Sequence, residues 1–479
     1  MAGVAKDKIG NRPLVVDLDG TLIASDLLVE GTFGLVGSNP TKLIGVFGAL
    51  LKGKAELKHF IAQHGAFDPT SLPYDASVLD LIRSAKEQGR PVYLATASHE
   101  TYAHAIATHL DLFDGVFATS RSHNLSGANK AAALVERFGD GGFDYVGNHA
   151  DDLAIWRHSG AAYSIRTTAA VRRRLRGLGV ETHDIETPRA SLKVWLKALR
   201  IHQYSKNVLV FAPVAASHTL DWHQWLAALL AFISFSLAAS ATYLLNDLVD
   251  IDADRRHATK RFRPFASGTL SLQSGIIAVP VLLALALGIA LSISLLYTLV
   301  LAGYVVLTTS YSFYLKRRLL VDVVALAMLY TMRIFAGGVA AGITLSEWLL
   351  ALSLFVFSSL ALIKRYTEIA SILDRNLPDP TNRNYRKDDL TVLAALAAAT
   401  GTNAVTVFAM YVSSPTVMQM YSRPKALWLL CPLLLYLLGR ALMMSHRREM
   451  HDDPVVWAMR DRICRLGMIT AAVIVLAAI

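Results

Sequence analysis

The sequence predicts a multidomain chain: an α/β domain with a helical cap over residues 1–185, then an all-α membrane bundle of about nine transmembrane helices. Three observations predict it. Short apolar runs alternate with helical patterns up to about residue 185, as in a parallel α/β sheet. Beyond that point, apolar runs near bilayer length dominate. Their connections alternate between strongly basic and almost free of Lys and Arg, as membrane topology requires. The chain is 53% hydrophobic, with mean hydropathy +0.40 and pI about 9.5, too apolar for an ordinary soluble protein.

The N-terminal stretch Met1–Pro13 has no apolar core, so no cleavable signal peptide is expected. Val15 to Leu22 reads as a short strand ending in Asp17-Leu18-Asp19-Gly20-Thr21. Two acids one residue apart at the C-terminal end of a strand point into the crevice where open α/β sheets bind ligands. Residues from about 25 to 89 have a helical pattern and the size of a cap over that crevice. Inside it, Leu43–Leu51 is apolar and is followed by Lys52, Lys54 and Lys58. Two readings stay open there: a helix buried on the cap's own core, or one that dips into a membrane surface. A second strand, Pro91–Ala95, ends in Thr96-Ala97-Ser98; Lys130 opens a helix after Gly127-Ala128-Asn129. A later strand, Phe143–Val146, runs into Gly147-Asn148-His149-Ala150-Asp151-Asp152.

These four strand-end elements, in this order, resemble the haloacid dehalogenase superfamily of phosphohydrolases over about residues 12–183. The resemblance implies a Rossmann-like fold with Asp17 as the nucleophile that forms an aspartyl-phosphate and Asp19 as general acid/base. It implies that Thr96, in preference to Ser98, holds a phosphoryl oxygen, and that Lys130 neutralises the transferring phosphate. It also implies Mg²⁺ held by Asp17, Asp19, Asn148 and Asp152. Asn148 departs from the commonest pattern, an amide where a carboxylate usually stands, which removes one negative charge from that site.

Residues 186–205 read as a linker and amphipathic entry helix, and 206–479 as the membrane domain. Spans are expected near 206–218, 223–245, 272–292, 294–314, 321–342, 347–363, 391–413, 426–444 and 463–479. Basic residues crowd Lys193–Lys206, Arg255–Arg263, Lys316–Arg318, Lys364–Lys387 and Arg440–Arg462, while Ala216–Trp222 and Gly342–Trp348 have none. This puts the N-terminal domain on the cytoplasmic face of a bacterial plasma membrane and the C-terminus outside. The two cysteines, Cys431 and Cys464, imply no disulfide framework.

After the second span stands Asn246-Asp247-Leu248-Val249-Asp250-Ile251-Asp252-Ala253-Asp254. On a helix at ~100° per residue, Asn246, Asp247, Asp250 and Asp254 share an arc of roughly 100°, and Asp252 falls opposite, exposed to solvent. Three acids on one face call for a cation, and Mg²⁺ binds one or two carboxylates while sharing its other positions with phosphate. Lys260, Arg261 and Arg263 follow as candidate phosphate ligands. Asp322 and Arg333 lie about 20° apart on one helix face, and an Arg that deep in a span is costly enough to be functional. Lys364 and Arg365 end another span, with Glu368 one turn on.

The acidic motif resembles the UbiA prenyltransferase superfamily over about residues 190–479, which implies nine helices around a cytoplasm-facing cavity with two aspartate motifs. The second motif is incomplete here, since Leu326 stands four residues after Asp322. Gln203-Tyr204-Ser205-Lys206-Asn207, Thr259–Pro264, Arg333–Gly338, Lys364-Arg365-Tyr366 and Met459–Arg462 are similar to the decaprenyl-phosphate phosphoribosyltransferase branch. That branch implies catalytic Asp247, Asp250 and Asp254 holding Mg²⁺. It implies substrate contacts from Lys206, Asn207, Asn246, Lys260, Arg261, Arg263, Asp322, Arg333, Lys364 and Arg365. The expected reaction is transfer of 5-phosphoribosyl from phosphoribosyl diphosphate to a polyprenyl phosphate, the N-terminal domain then removing the 5′-phosphate. The alternatives are prenyl transfer from a prenyl diphosphate to an aromatic acceptor, and a transporter with a phosphate-sensing domain. The expected partners are the lipid bilayer and the two substrates, with no nucleic acid; a homo-oligomer is left open.

Overall fold

The computed structural model describes residues 12–38, 40–65, 67–121, 124–187, 191–257, 259–376, 378–379, 383–450 and 453–479. It divides into two compact units, Met1–Arg200 with Tyr243–Pro280, and Ile201–Thr242 with Val281–Ile479. The first unit therefore joins the α/β domain to the segment that carries the acidic motif.

Six strands, β1 Leu14–Val16, β2 Val92–His99, β3 Gly115–Thr119, β4 Asp144–Gly147, β5 Ala161–Ile165 and β6 Glu181–Ile185, form one sheet in the order β3-β2-β1-β4-β5-β6. Every pairing is parallel. Side chains alternate across β1: Leu14 and Val16 join a core with Val78, Ile82 and Ala103, while Val15 joins one with Leu134, Phe143 and Trp156. A strand covered on both faces must be apolar throughout, which is why Leu-Val-Val precedes the first acid. The chain leaves β1 towards β2 and β3, then returns to β4 on the other side. The crevice at the C-terminal ends of β1 and β4 is thus a topological switch point.

The helices Leu27–Ser38, Leu43–Leu51 and Lys54–His64 form the cap, with a small core of Leu35, Val46, Ala49, Leu57 and Ile61. The helix Ala76–Glu87, within the expected cap segment, instead packs Val78, Ile82 and Ala85 on the sheet. Both readings of Leu43–Leu51 find a counterpart: Val46 and Ala49 turn inward, whereas Ile44 and Leu51 are 81% and 89% exposed.

Among the described residues, seven helices are long and apolar enough to cross a membrane: Trp222–Val249, Leu272–Ile293, Leu295–Phe313, Val321–Ala341, Glu347–Asp374, Lys387–Val412 and Pro424–His446. They coincide with seven of the nine expected spans. The first expected span is instead a 3₁₀ stretch, Ile201–Phe211, followed by the short helix Ala212–Ala216, with Pro213 in its first turn. At the last expected span, 463–479, stands the helix Arg462–Ala478, of 17 residues.

Candidate active sites

The crevice of the sheet gathers the expected phosphatase residues. The Asp17 N–H donates to Val146 O at 3.0 Å, carrying the sheet ladder one residue past β1 and fixing Asp17 opposite the end of β4. Gly20 adopts φ +74°, and a Cβ there would meet Asn148 Cγ at 3.0 Å, so this loop needs glycine. Lys130, in the first turn of the helix Ala128–Phe138, donates from Nζ to Asp17 Oδ1 at 2.7 Å and to Tyr145 Oη at 3.0 Å. Tyr145 donates in turn to Asp152 Oδ1 at 3.0 Å, and the N–H groups of Asn148 and His149 donate to Asp152 Oδ2 at 2.9 and 2.8 Å. Asp17, Lys130, Asn148 and Asp152 thus meet as expected. Tyr145 is an addition that sequence alone could not orient.

Asp19 faces a different set of partners. Its Oδ1 accepts from the Leu27 N–H at 2.8 Å, and its Oδ2 from Ser98 Oγ at 2.6 Å and Thr96 Oγ1 at 3.4 Å. Ser98, the less favoured of the two hydroxyls, therefore makes the shorter bond to the acid, and the Thr96 hydroxyl accepts from the Ser98 N–H at 2.9 Å. Burial pushes the Asp19 carboxyl up to about 7, reinforced by Asp26 and opposed by the Leu27 N–H. Asp17 is pushed up to about 6 by burial, opposed by Lys130 and reinforced by Asp152. Burial thus raises both carboxyls of the crevice, with Asp26 adding to the rise at Asp19 and Lys130 opposing it at Asp17.

Lys58, which follows Leu43–Leu51 in sequence with Lys52 and Lys54, turns inward, donating to Ala97 O at 2.6 Å and to Asn124 Oδ1 at 3.1 Å. The cap thereby delivers a cation to the end of β2, with burial pulling its pKa down.

Around the acidic motif, the helix Trp222–Val249 continues through Asp250 into Ile251–Arg256, with N–H to O bonds from Asp250 to Asn246 at 2.9 Å and Asp254 to Asp250 at 2.8 Å. The expected common face is present in part. Arg263 Nη1 joins Asp247 Oδ1 at 3.1 Å to Asp254 Oδ2 at 2.5 Å. The positive charge between these acids is thus an arginine of the same loop. Arg200, which the basic entry segment hid among topological charges, also pairs with Asp247 and lies 4.8 Å from the Tyr243 ring. Lys260 is half-buried, while Arg261 is exposed and stacks on Phe262 at 4.9 Å. Asp252, expected to be merely solvated, is half-buried against the cap helix Leu27–Ser38, where a Cβ on Gly34 would meet its Oδ2 at 2.8 Å. Burial raises its pKa, with Glu30 adding to the effect.

In the second unit, the cations fall into separate networks. Lys206 and Lys364 converge on Asp453 Oδ2 at 3.4 and 2.9 Å. Burial opposes ionisation of Asp453, but Lys364 and Lys206 prevail and hold it down at about 2. Arg333 donates to Asn207 Oδ1 at 2.9 Å and Tyr304 Oη at 3.2 Å, and Asn207 donates to Ser236 at 3.0 Å. Asp322 does not share that network. It takes Arg365 Nε at 2.6 Å and Tyr385 Oη at 2.6 Å, and Arg365 also donates to Glu368 at 2.6 Å and Tyr311 at 3.1 Å. Each nitrogen of Arg365 is thus occupied within the protein. A buried charge is tolerable only when paired, so Arg365 belongs to the framework and Lys364 to the cation pair.

Among the described residues, no group of three or more His, Cys, Asp or Glu side chains forms a ready metal cage. Mg²⁺ needs less, because it takes one or two carboxylates and completes its shell with water and substrate phosphate. The convergence of Asp247 and Asp254 on one guanidinium nitrogen, and the crowding of Asp17 by Asp152, suit such a cation.

Residues 207–460 match the model of the UbiA prenyltransferase family. The chain is 38% identical over 470 residues to the uncharacterized protein y4nM of Sinorhizobium fredii, spanning 97% of this chain and 91% of that one. It is 34% identical over 284 residues to nodulation protein NoeC of Azorhizobium caulinodans, spanning 57% of this chain and 90% of the relative. A decaprenyl-phosphate phosphoribosyltransferase of Mycobacterium tuberculosis is 39% identical over an alignment of 190 positions that covers 36% of this chain and 59% of that protein. Structural neighbours of the N-terminal region include a HAD family hydrolase of Salmonella enterica serovar Typhi, at 16% identity and TM-score 0.28, over 36% of this chain and 68% of that one. By the match over residues 207–460 and the seven bilayer-length helices among its described residues, the chain is an integral membrane protein belonging to the UbiA prenyltransferase family.

Proposed function

We propose that the membrane half transfers 5-phosphoribosyl from phosphoribosyl diphosphate to a polyprenyl phosphate, and that the N-terminal domain hydrolyses the 5′-phosphate of the product. The observation that carries this reading is the convergence of Lys206 and Lys364 on one oxygen of Asp453. Two ammonium groups sharing one oxyanion make a seat for a monophosphate acceptor, which an aromatic acceptor would not need. Similarity to proteins named decaprenyl-phosphate phosphoribosyltransferase, about 59% of whose length is spanned, supports the choice of donor.

In the transfer, a lipid-phosphate oxygen forms a bond to the anomeric carbon while the bond from that carbon to diphosphate breaks. Arg263, Arg200, Lys260 and Arg261 take up the charge of the departing diphosphate. Asp247, Asp250 and Asp254 would hold Mg²⁺, which supplies further neutralisation of that charge. In the phosphatase step, an Asp17 oxygen attacks phosphorus, the ribose 5′-oxygen leaves with the Asp19 proton, and Lys130 neutralises the transferring group. Water, giving its proton to Asp19, then releases inorganic phosphate from Asp17. Asp17, Asp152 and Asn148 would hold the metal there. Both sites face the cytoplasm in this reading.

The test supplies purified protein with Mg²⁺, polyprenyl phosphate and ribose-labelled phosphoribosyl diphosphate. Label should enter the lipid phase for wild type and not for Asp250→Ala. No transfer across several chain lengths, with turnover of a prenyl diphosphate and an aromatic acceptor instead, would return the membrane half to ordinary prenyl transfer.

A further inference from the structure

The first unit contains a buried ion pair that neither proposed reaction uses. Arg255, in the short acidic-motif helix Ile251–Arg256, donates to both oxygens of Glu30 on the cap helix Leu27–Ser38, at 2.7 and 2.5 Å. Its Nε donates to Ala266 O at 3.0 Å, so the guanidinium is fixed on a third side. Both residues are under 10% exposed. Glu30 also accepts from the Ser25 hydroxyl. Ser25 in turn belongs to the phosphatase loop: its carbonyl accepts from the Gly20 N–H at 2.8 Å, and the Leu27 N–H two residues later donates to Asp19 Oδ1 at 2.8 Å. The contacts therefore run from Arg255 through the Glu30 carboxylate to the Ser25 hydroxyl, and through the backbone of residues 25–27 to Asp19, the proposed acid/base of the other reaction.

Close packing on both flanks holds this path in register. Gly268 adopts φ +70°, and a Cβ there would meet Ala24 O at 2.9 Å; a Cβ on Gly34 would meet Asp252 at 2.8 Å. Simple adhesion between the two segments would be served as well by apolar side chains, because desolvating two charges offsets most of their attraction. A paired fork instead specifies position. Arg255 also directly follows Asp254, which shares Arg263 with Asp247. A diphosphate that draws Arg263 off Asp254 thus acts on the helix that carries Arg255.

We propose that Arg255 is a positioning residue for the phosphatase, holding the Asp19 loop through Glu30 and Ser25, so that diphosphate bound at the acidic motif is felt at Asp19. This rests on the phosphatase and transferase roles proposed above. The experiment uses the full-length protein and p-nitrophenyl phosphate as the monoester. Glu30→Gln and Arg255→Gln should each lower kcat about tenfold or more with KM within twofold, and the double variant should be no worse than either single. Inorganic diphosphate with Mg²⁺ should shift the wild-type kcat at least twofold and leave that of Glu30→Gln unmoved; simple competition at the phosphatase would change KM alone. Hydrogen exchange should quicken across residues 20–30 in Glu30→Gln, with the sheet strands unchanged. Wild-type kcat and exchange in a folded Glu30→Gln protein would overturn the positioning, and a wild-type kcat indifferent to diphosphate would overturn the coupling. If wild type hydrolyses no monoester, the phosphatase reading fails by itself, and unchanged exchange in Glu30→Gln then overturns the link between Arg255 and the loop.

Discussion

Asp19 shows how much a single side chain can cost the fold that uses it. Its carboxyl is pushed up to about 7 by burial, from an ordinary value near 4. A folded-state pKa above the unfolded one means that the folded protein holds the proton more tightly. The corresponding stability is fully present below about pH 4 and is lost as pH rises towards 7. Asp19→Asn keeps the size and can still accept from Leu27 while donating to Ser98. In metal-free buffer it should therefore raise Tm by several degrees at pH 8 and hardly at pH 4, while lowering monoester turnover on the order of 10²–10⁴-fold. A Tm gain equal at both pH values would show that ionisation of Asp19 carries no cost. Asp17, Lys130 and Asp152 were legible in the sequence because they stand in short motifs at or just after the C-terminal ends of apolar strands, where open α/β sheets bind ligands. Arg200, Lys58, Tyr145 and Asp453 were not, since each acquires its role from a partner that only the fold supplies. Arg200 was further masked by neighbouring basic residues that topology alone explains, and Lys58 by Lys52 and Lys54 close before it in the cap.

At the scale of elements, periodicity identified the long apolar helices but not what lets them approach one another. The stretch Arg333–Gly338 was noticed for its likeness to relatives, and the structure supplies a physical reason for its glycines. A Cβ on Gly337 would lie 2.7 Å from the carbonyl carbon of Val210 and 3.1 Å from its Cα. The 3₁₀ stretch Ile201–Phe211 thus rests directly on the helix Val321–Ala341, as small residues allow in membrane helices. This contact lies one turn from Arg333 and three residues from Asn207, which are bonded to each other. Gly337→Ala gains up to about 1 kcal/mol of helix propensity. It must also displace backbone, and overpacking costs about 1–3 kcal/mol, occasionally more. The clash should win, so Gly337→Ala is expected to lower Tm and weaken phosphoribosyl transfer; a Tm at or above wild type would show that Val210 yields freely. The short elements escaped sequence reading for a related reason. The expected span 206–218 is apolar only from Val208 to Ala216, and there the chain passes from the 3₁₀ stretch into the short helix Ala212–Ala216, so hydropathy overstated its length.

For the whole molecule, the acidic motif packs in one compact unit with the α/β domain, although a long helix separates the two in sequence. Hydropathy divides the chain near residue 185 because it registers solvent preference; compactness divides it elsewhere because Arg255, Asp252 and Gly268 find their partners in the cap and the Ala24 loop. On the proposed two-step reading, the lipid product of the first reaction cannot diffuse into water, so a phosphatase on the same polypeptide would meet it at a raised effective concentration. With Asp17→Asn, transfer should proceed while phosphatase turnover stops. Polyprenyl-phosphoryl phosphoribose should then accumulate as the labelled lipid, 5′-phosphate retained in its mass, whereas wild type yields the dephosphorylated ribose. Adding the separate wild-type protein in trans should clear the accumulated lipid more slowly than wild type clears its own, by the factor that tethering contributes. Complete dephosphorylation by purified Asp17→Asn alone would place the second reaction elsewhere. Equal clearance in cis and in trans would leave the fusion without a kinetic role, and the Glu30–Arg255 path would then remain as the physical reason for joining the two domains in one chain.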